Sequence, residues 1–278
     1  MDGVIITAAI NGAEVMKTDN PSLPISPEEV AEEAFRCAEA GASIVHLHGR
    51  LPDGTPTQDI DTFRAYFAAI RERSDIIVQF STGGAVGMPV EERIEALALG
   101  PEMATLTTGT CNFGEAIFEN SLPSIRLIAE RQRQFGVKPE IEVFEVGMLD
   151  TAIRLVEREG VLKGPLHVDF VLGVPGALDG DERHLDYLLS RLPDGWTWCV
   201  AGVGRHELRL ARYALERGGH VRVGLEDNIY VSKGVLADGS HSLVSLVADM
   251  AREVGRPVLR VAESRKLLRV GEVRYPVG

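Results

Sequence analysis

Cysteine is scarce in this chain, with Cys37, Cys111 and Cys199 the only three among 278 residues. They lie far apart, are odd in number and fall in no metal-ligand spacing. That argues against a disulfide framework or a cysteine-held metal, and for reduced thiols in a cytoplasmic protein. Basic charge is also in deficit: 29 Lys and Arg stand against 41 Asp and Glu, a formal net charge of −12. Nucleic acid and anionic membrane are thereby excluded as general partners. A local positive pocket for an anionic small ligand is not. No apolar run approaches the length of a membrane span. The N-terminal stretch MDGVIITAAINGAE has neither a basic n-region nor a long apolar h-region, so no signal peptide is expected.

What is present is alternation. Short β-branched runs recur, each followed by a polar or glycine-rich loop and then a helical pattern. Strands are expected at Val4–Ala9, Ser43–His48, Ile76–Ser81, Met103–Leu106, Pro139–Phe144, Leu166–Leu172, Thr197–Ala201 and His220–Leu225. Helices are expected at Pro27–Ala40, Ile60–Arg73, Pro89–Leu99, Pro123–Phe135, Leu149–Glu159, Asp181–Leu192, Glu207–Arg217 and Ser240–Val254. Ser26, Pro27 and Glu29 form a capping box with proline in the first turn, and Gly41 stops that helix. Eight strand–helix units without a linker predict an α/β protein, a single (β/α)8 TIM barrel over residues 1–278. A doubly wound open sheet shares the alternation. The unit count and the missing dinucleotide fingerprint favour the barrel.

Catalytic groups of such barrels gather at the C-terminal strand ends. In Ser43-Ile44-Val45-His46-Leu47-His48, alternation turns Val45 and Leu47 to the helices and points His46 and His48 into the mouth. Two adjacent imidazoles are a ready metal pair. Two hydrogen-bonded core histidines are the competing reading. Strand eight, which like strand two flanks strand one, points Arg222, Gly224 and Glu226 inward by the same parity. Glu226 then reaches the point the histidines share. Two His and one Glu leave coordination positions open and favour zinc over magnesium.

An inward arginine needs a counter-charge, and Asp227 and Glu142 are available. Arg222 either orients an aspartate base at Asp227 or makes a structural salt bridge. The remaining strand ends form a ligand cradle. Backbone N–H groups and hydroxyls of Ser81-Thr82-Gly83-Gly84 suit a carboxylate, and Thr105 to Thr110 follow strand four. Gly202-Val203-Gly204-Arg205 lies where barrels often bind phosphate. His167 and Asp169 read as core hydrogen-bond partners.

TAAINGAE, GASIVHLHGR, FSTGGAVG, PEMATLTTGTCNFG, LHVDFVLGVPG, VAGVGRHE and GGHVRVGLEDN occur in this order over nearly the whole chain. With these stretches the chain resembles the β-keto acid cleavage enzymes, in particular the branch acting on 3-keto-5-aminohexanoate in lysine fermentation. The resemblance implies a zinc-dependent barrel that condenses a β-keto acid with acetyl-CoA, giving acetoacetate and a new CoA thioester. It implies His46, His48 and Glu226 as zinc ligands. Asp227, assisted by Arg222 and Ser81, abstracts the proton. Glu14 receives a substrate amino group, and Thr105 helps hold the substrate. Thr107 stands where asparagine is expected, and Gly49 and Val146 are smaller departures. Relatives acting on 3-oxoadipate or dehydrocarnitine make those the alternative substrates. The expected assembly is a homo-oligomer, dimer or tetramer.

Two other function classes compete. A zinc hydrolase needs the same three ligands and would turn over without acetyl-CoA. A non-enzymatic ligand-binding barrel has no use for the inward acid–base groups.

Overall fold

The computed structural model describes residues 3–271. Eight parallel strands close into a barrel. They are β1 Ile6–Ala9, β2 Ile44–Leu47, β3 Ile77–Phe80, β4 Met103–Thr107, β5 Lys138–Val143, β6 His167–Leu172, β7 Thr197–Gly202 and β8 His220–Val223. Between β1 and β8, Thr7 sits opposite Arg222, and between β1 and β2, Ala9 sits opposite His46. The helices are α1 Pro27–Ala40, α2 Ile60–Arg73, α3 Val90–Arg93, α4 Leu122–Gln134, α5 Val146–Glu157, α6 Glu182–Arg191, α7 Glu207–Glu216, α8 Ser240–Glu253 and α9 Val261–Leu268. None of the described helices is long and apolar enough to cross a membrane.

Strand parity sorts the chain into an oily jacket and a polar lumen. Val45, Leu47, Val78, Phe80, Ile141, Val143, Val168 and Phe170 are buried in the main apolar core. Their in-between neighbours His46, Gln79, Glu140, Glu142, His167 and Asp169 are buried too, but polar. Phe80 stacks on Phe63 at 4.7 Å between ring centres. Its truncation to alanine would cost about 3–5 kcal/mol. Helix α1 starts as its sequence dictates. Glu29 N–H donates to Ser26 Oγ, Ser26 N–H donates to Glu29 Oε2, and Gly41 ends the helix at φ 118°.

Four features depart from the sequence expectation. The helix expected over Pro89–Leu99 splits into α3 and a 3-10 turn at Glu95–Leu99, with Ile94 at φ −103° and ψ −7° between them. At the break Arg93 turns inward and bonds Thr82 O, Glu119 O and Asn120 Oδ1. Helix α9, beyond the eighth unit, was not anticipated. With Leu259 and Leu268 it covers Ile5, Ile44, Ile77 and Met103, closing the N-terminal end of the barrel. Loops two, four and eight carry short hairpins: Gly49–Arg50 with Pro56–Thr57, Cys111–Phe113 with Ala116–Phe118, and Tyr230–Ser232 with Val235–Leu236.

The fourth departure matters most for the site. Strand β8 stops at Val223, not Leu225. Gly224 adopts φ 153°, and a Cβ there would lie 2.1 Å from the Ala9 carbonyl oxygen. Only glycine fits so close an approach. The N–H groups of Asp227 and Asn228 both return to the Gly224 carbonyl, each at 3.0 Å. The resulting turn lets two consecutive acids, Glu226 and Asp227, line the same cavity.

Candidate active site

The site sits at the C-terminal mouth and grows from β2 and the β8 turn. His46 Nε2 lies 3.5 Å from Glu226 Oε2, and His48 Nε2 lies 3.4 Å from Glu226 Oε1. One donor atom from each of the three side chains falls within 4.8 Å of the others. His46 Nδ1 is 2.7 Å from Gln79 Oε1. A carbonyl oxygen only accepts, so Nδ1 carries the proton and Nε2 presents its lone pair. Among the described residues, buried His46 Nε2 and Glu226 Oε2 have no hydrogen-bond partner. Two imidazoles, a carboxylate and two orphaned polar atoms facing one point fit a divalent metal of the zinc type.

Each support of this triad has a visible cause. The Asn11 side chain brackets His48, donating to its carbonyl at 2.9 Å and accepting from its N–H at 2.9 Å. Gly12 lies so close to Glu226 that a Cβ would meet Cγ at 2.6 Å. The β8 turn is pinned at successive amides: Gly224 to Glu207 Oε1, Leu225 to Ser240 Oγ, and Glu226 to Ala9 O. The second oxygen of Glu207 accepts from Asn228 Nδ2 at 2.9 Å.

Arg222 is the electrostatic hub. Its guanidinium donates to Asp227 Oδ2 at 2.9 Å, Glu226 Oε1 at 2.6 Å, Glu142 Oε1 at 3.3 Å and Asp169 Oδ2 at 3.5 Å. Burial opposes its charge, but the four carboxylates hold it firmly protonated. Burial likewise opposes the Glu226 charge, yet Arg222 and the two histidines keep that carboxyl well below the ordinary range. For Asp227, burial wins over Arg222 and lifts the carboxyl to about 7, with Glu226 adding to the rise. A carboxylate in that range suits a general base.

The cavity over this cluster is lined by Glu14, His48, Ser81, Gly83, Gly84, Glu142, Arg222, Glu226 and Asp227, with Phe113, Phe118 and Phe144 in its apolar wall. Of the expected substrate contacts, Glu14, Ser81 and Gly84 line it directly. Thr82 and Thr105 instead bond each other: Thr82 N–H donates to Thr105 Oγ1 at 3.2 Å, and the Thr82 hydroxyl donates to Thr105 O at 2.8 Å. Thr107 donates its hydroxyl to Glu142 Oε2 at 2.7 Å. These three threonines build the wall behind the cavity. In the loop after β7, Gly202 packs on the His206 backbone, and Gly204 N–H donates to the Asp227 carbonyl at 2.7 Å. The neighbouring Arg205 side chain is exposed.

Sequence reasoning passed over Gln79, Glu207 and the aromatic wall, and placed Asn11 only in the cradle loop after strand one. Parity along β3 exposes Gln79, which lies between Ile77 and Ser81 on the inward face. Asn11 and Glu207 act on backbone groups across the fold, so no local spacing marks them.

A family model of the β-keto acid cleavage enzymes matches residues 3–270. The chain therefore belongs to the β-keto acid cleavage enzyme family. It is 50% identical over 270 residues to the 3-keto-5-aminohexanoate cleavage enzyme of Fusobacterium nucleatum, covering 96% of this chain and 98% of that one. It is 46% identical over 274 residues to the enzyme of the same name from Acetoanaerobium sticklandii, covering 98% and 100%. To the 3-oxoadipate:acetyl-CoA acetyltransferase of Cupriavidus necator it is 41% identical over 268 residues, covering 95% and 94%. Among solved structures, the binary complex of ObcA with oxaloacetate superposes with a TM-score of 0.79 at 23% identity, covering 90% of this chain and 68% of that one. That likeness concerns the fold.

Proposed function

We propose that the protein cleaves 3-keto-5-aminohexanoate with acetyl-CoA, giving acetoacetate and 3-aminobutyryl-CoA, with His46, His48 and Glu226 holding zinc. In this reaction C2 of the keto acid bonds to the acetyl carbon, the C2–C3 bond breaks, and the CoA thiolate takes the C3 acyl group. His46, His48 and Glu226 would hold a zinc ion, which would supply Lewis acidity to the substrate. Asp227 removes the C2 proton, and Arg222 keeps that carboxylate oriented through the 2.9 Å contact. Ser81 Oγ and the Gly83–Gly84 segment border the space for the substrate carboxylate. The aromatic wall keeps water from the enolate and the thioester. Arg205 is the exposed cation at the mouth for CoA phosphates.

One observation carries the choice of substrate. Arg222 is the arginine that lines the cavity, and it is already committed to four carboxylates. Glu14, by contrast, is exposed and lines the cavity. Such a lining favours an ammonium-bearing β-keto acid over dianionic 3-oxoadipate, whose second carboxylate meets no free cation there. The same proposal places the enzyme in the cytoplasm, in keeping with its three free, buried cysteines. It also makes the enzyme a homo-oligomer, dimer or tetramer, in keeping with Ile117, Val235 and Leu236 exposed on the mouth hairpins.

The test incubates the zinc-loaded protein with acetyl-CoA and a panel of β-keto acids and measures acetoacetate. Turnover with the amino acid substrate should exceed that with 3-oxoadipate. The reverse order rules out the Glu14 assignment, and consumption of the keto acid without acetyl-CoA, releasing acetate in place of acetoacetate, marks a hydrolase instead.

A further inference from the structure

The loop carrying Glu14 runs from the end of β1 to Pro27 without a helix or strand. What shapes it is one side chain from the neighbouring unit. Arg50, two residues beyond His48, is only 2% exposed. Its Nε donates to Gly12 O at 2.7 Å, and its Nη2 donates to Asn11 O at 2.9 Å and Val15 O at 2.7 Å. Its Nη1 donates to Gly54 O at 2.8 Å. No carboxylate among the described residues pairs with it; Glu226 and Glu14 act on it only through space.

A buried guanidinium answered by four backbone carbonyls and the Met16 thioether, with no paired carboxylate among the described residues, is uncommon, since a buried charge usually meets a counter-ion. Here three of the four carbonyls bracket one short segment. Anchored at Gly12 and Val15, the chain presents Ala13 and Glu14 to the cavity. Asn11 extends the tie to the His48 backbone. The planar five-donor fork reaches all four oxygens at once, a fan that the ammonium of lysine does not reproduce. His48 at the metal triad and Arg50 under the Glu14 loop are thus linked by a single intervening residue.

We propose that Arg50 is a positioning residue for substrate selection: it sets where the Glu14 carboxylate stands relative to the metal triad, and so which end group the enzyme accepts. The inference rests on the reading of Glu14 given above. A purely structural staple would weaken all ligands alike, whereas a positioning residue changes only those that meet Glu14.

The zinc-loaded enzyme and its Arg50→Met, Arg50→Lys and Glu14→Gln variants provide the test. KM is measured for 3-keto-5-aminohexanoate and acetyl-CoA, together with Ki for 3-oxohexanoate, which has the same chain length and no amino group. Arg50→Met should raise KM for the amino substrate about tenfold, the loss of one charge-assisted contact. Ki for 3-oxohexanoate and KM for acetyl-CoA should stay within about twofold, because neither meets Glu14. Arg50→Lys should fall between wild type and Arg50→Met. Parallel changes in all three constants, no change in any, or loss of the fold in both Arg50 variants overturns the inference. If Glu14→Gln discriminates between the two keto acids and the Arg50 variants do not, only this inference falls. If Glu14→Gln itself fails to discriminate, the reading of Glu14 falls first.

Discussion

Among its described residues the lumen of this barrel holds two clusters with the donor spacing of a metal site, one at the mouth and one near the base. At the mouth stand His46, His48 and Glu226; deeper stand Glu140, His167 and Cys199. By spacing alone they are alike. They differ in access and in protons. His48 and Glu226 border the cavity, while all three deeper residues are buried and none lines it. Burial pushes the Cys199 thiol well above its ordinary range, and it donates to Asp169 Oδ1 at 3.3 Å. Burial also lifts Glu140 to about 8. Of the deeper cluster, Cys199 and Glu140 keep their protons while burial holds His167 neutral, whereas Arg222 and the histidines strip Glu226 of its own. Protonation and a path to solvent therefore separate a binding site from a polar core of equal donor count.

The sharpest way to break this comparison is to count metal. His46→Ala or Glu226→Gln should abolish both bound metal and activity, while His167→Asn should leave about one ion per chain. Elemental analysis of the purified variants reads this directly, and two ions per wild-type chain would erase the distinction. Next in size is Asp227→Asn. It should retain the metal and the fold yet lower kcat by roughly two to four orders of magnitude, the loss of a general base. Near wild-type turnover would leave the mouth with a metal site and no identified base.

A smaller effect is expected from Glu14→Gln. Binding of the amino substrate should weaken by about 1–3 kcal/mol, the range of a charge-assisted hydrogen bond. Calorimetry with the amino substrate and with acetyl-CoA should show the loss only for the former.

The last prediction concerns the base. His220 accepts a hydrogen bond from Ile5 N–H at 3.0 Å, and burial lowers its pKa from 6.5 to about 4. Below 6.5 the unfolded chain takes up the proton first. The contribution of His220 to stability is therefore full above that pH and is lost as pH falls toward about 4. Thermal melts of wild type and His220→Gln between these limits should show the wild type losing stability relative to the variant as pH falls.

Much of the mouth was legible because parity on a regular strand is a strong constraint. It aimed His46, His48 and Arg222 inward without any knowledge of the sheet. Charge balance named Asp227 and Glu142 as partners of Arg222, and both lie in contact with it. Legibility ended where backbone geometry took over. Strict alternation would turn Asp227 toward the helices, and only the bend at Gly224 brings it back. Thr82 and Thr105 offered hydroxyls that read as substrate contacts, yet they satisfy each other. Arg50 was visible only as part of a motif, since contacts to carbonyl oxygens leave no trace in side-chain chemistry. Helix α9 fell outside the βα count altogether.

The bend at Gly224 has a consequence for how the site keeps its dimensions. Most catalytic pairs in barrels come from different strands, and their separation follows every change in barrel girth. Here Glu226 and Asp227, the proposed metal ligand and the proposed base, are successive residues. Their α-carbons are about 3.8 Å apart whatever the packing around them. The barrel can breathe, or drift in its jacket residues over generations, without pulling acid from ligand. What it does not tolerate is an inserted residue between Gly224 and Asp227, which would rotate one of the two out of the lumen.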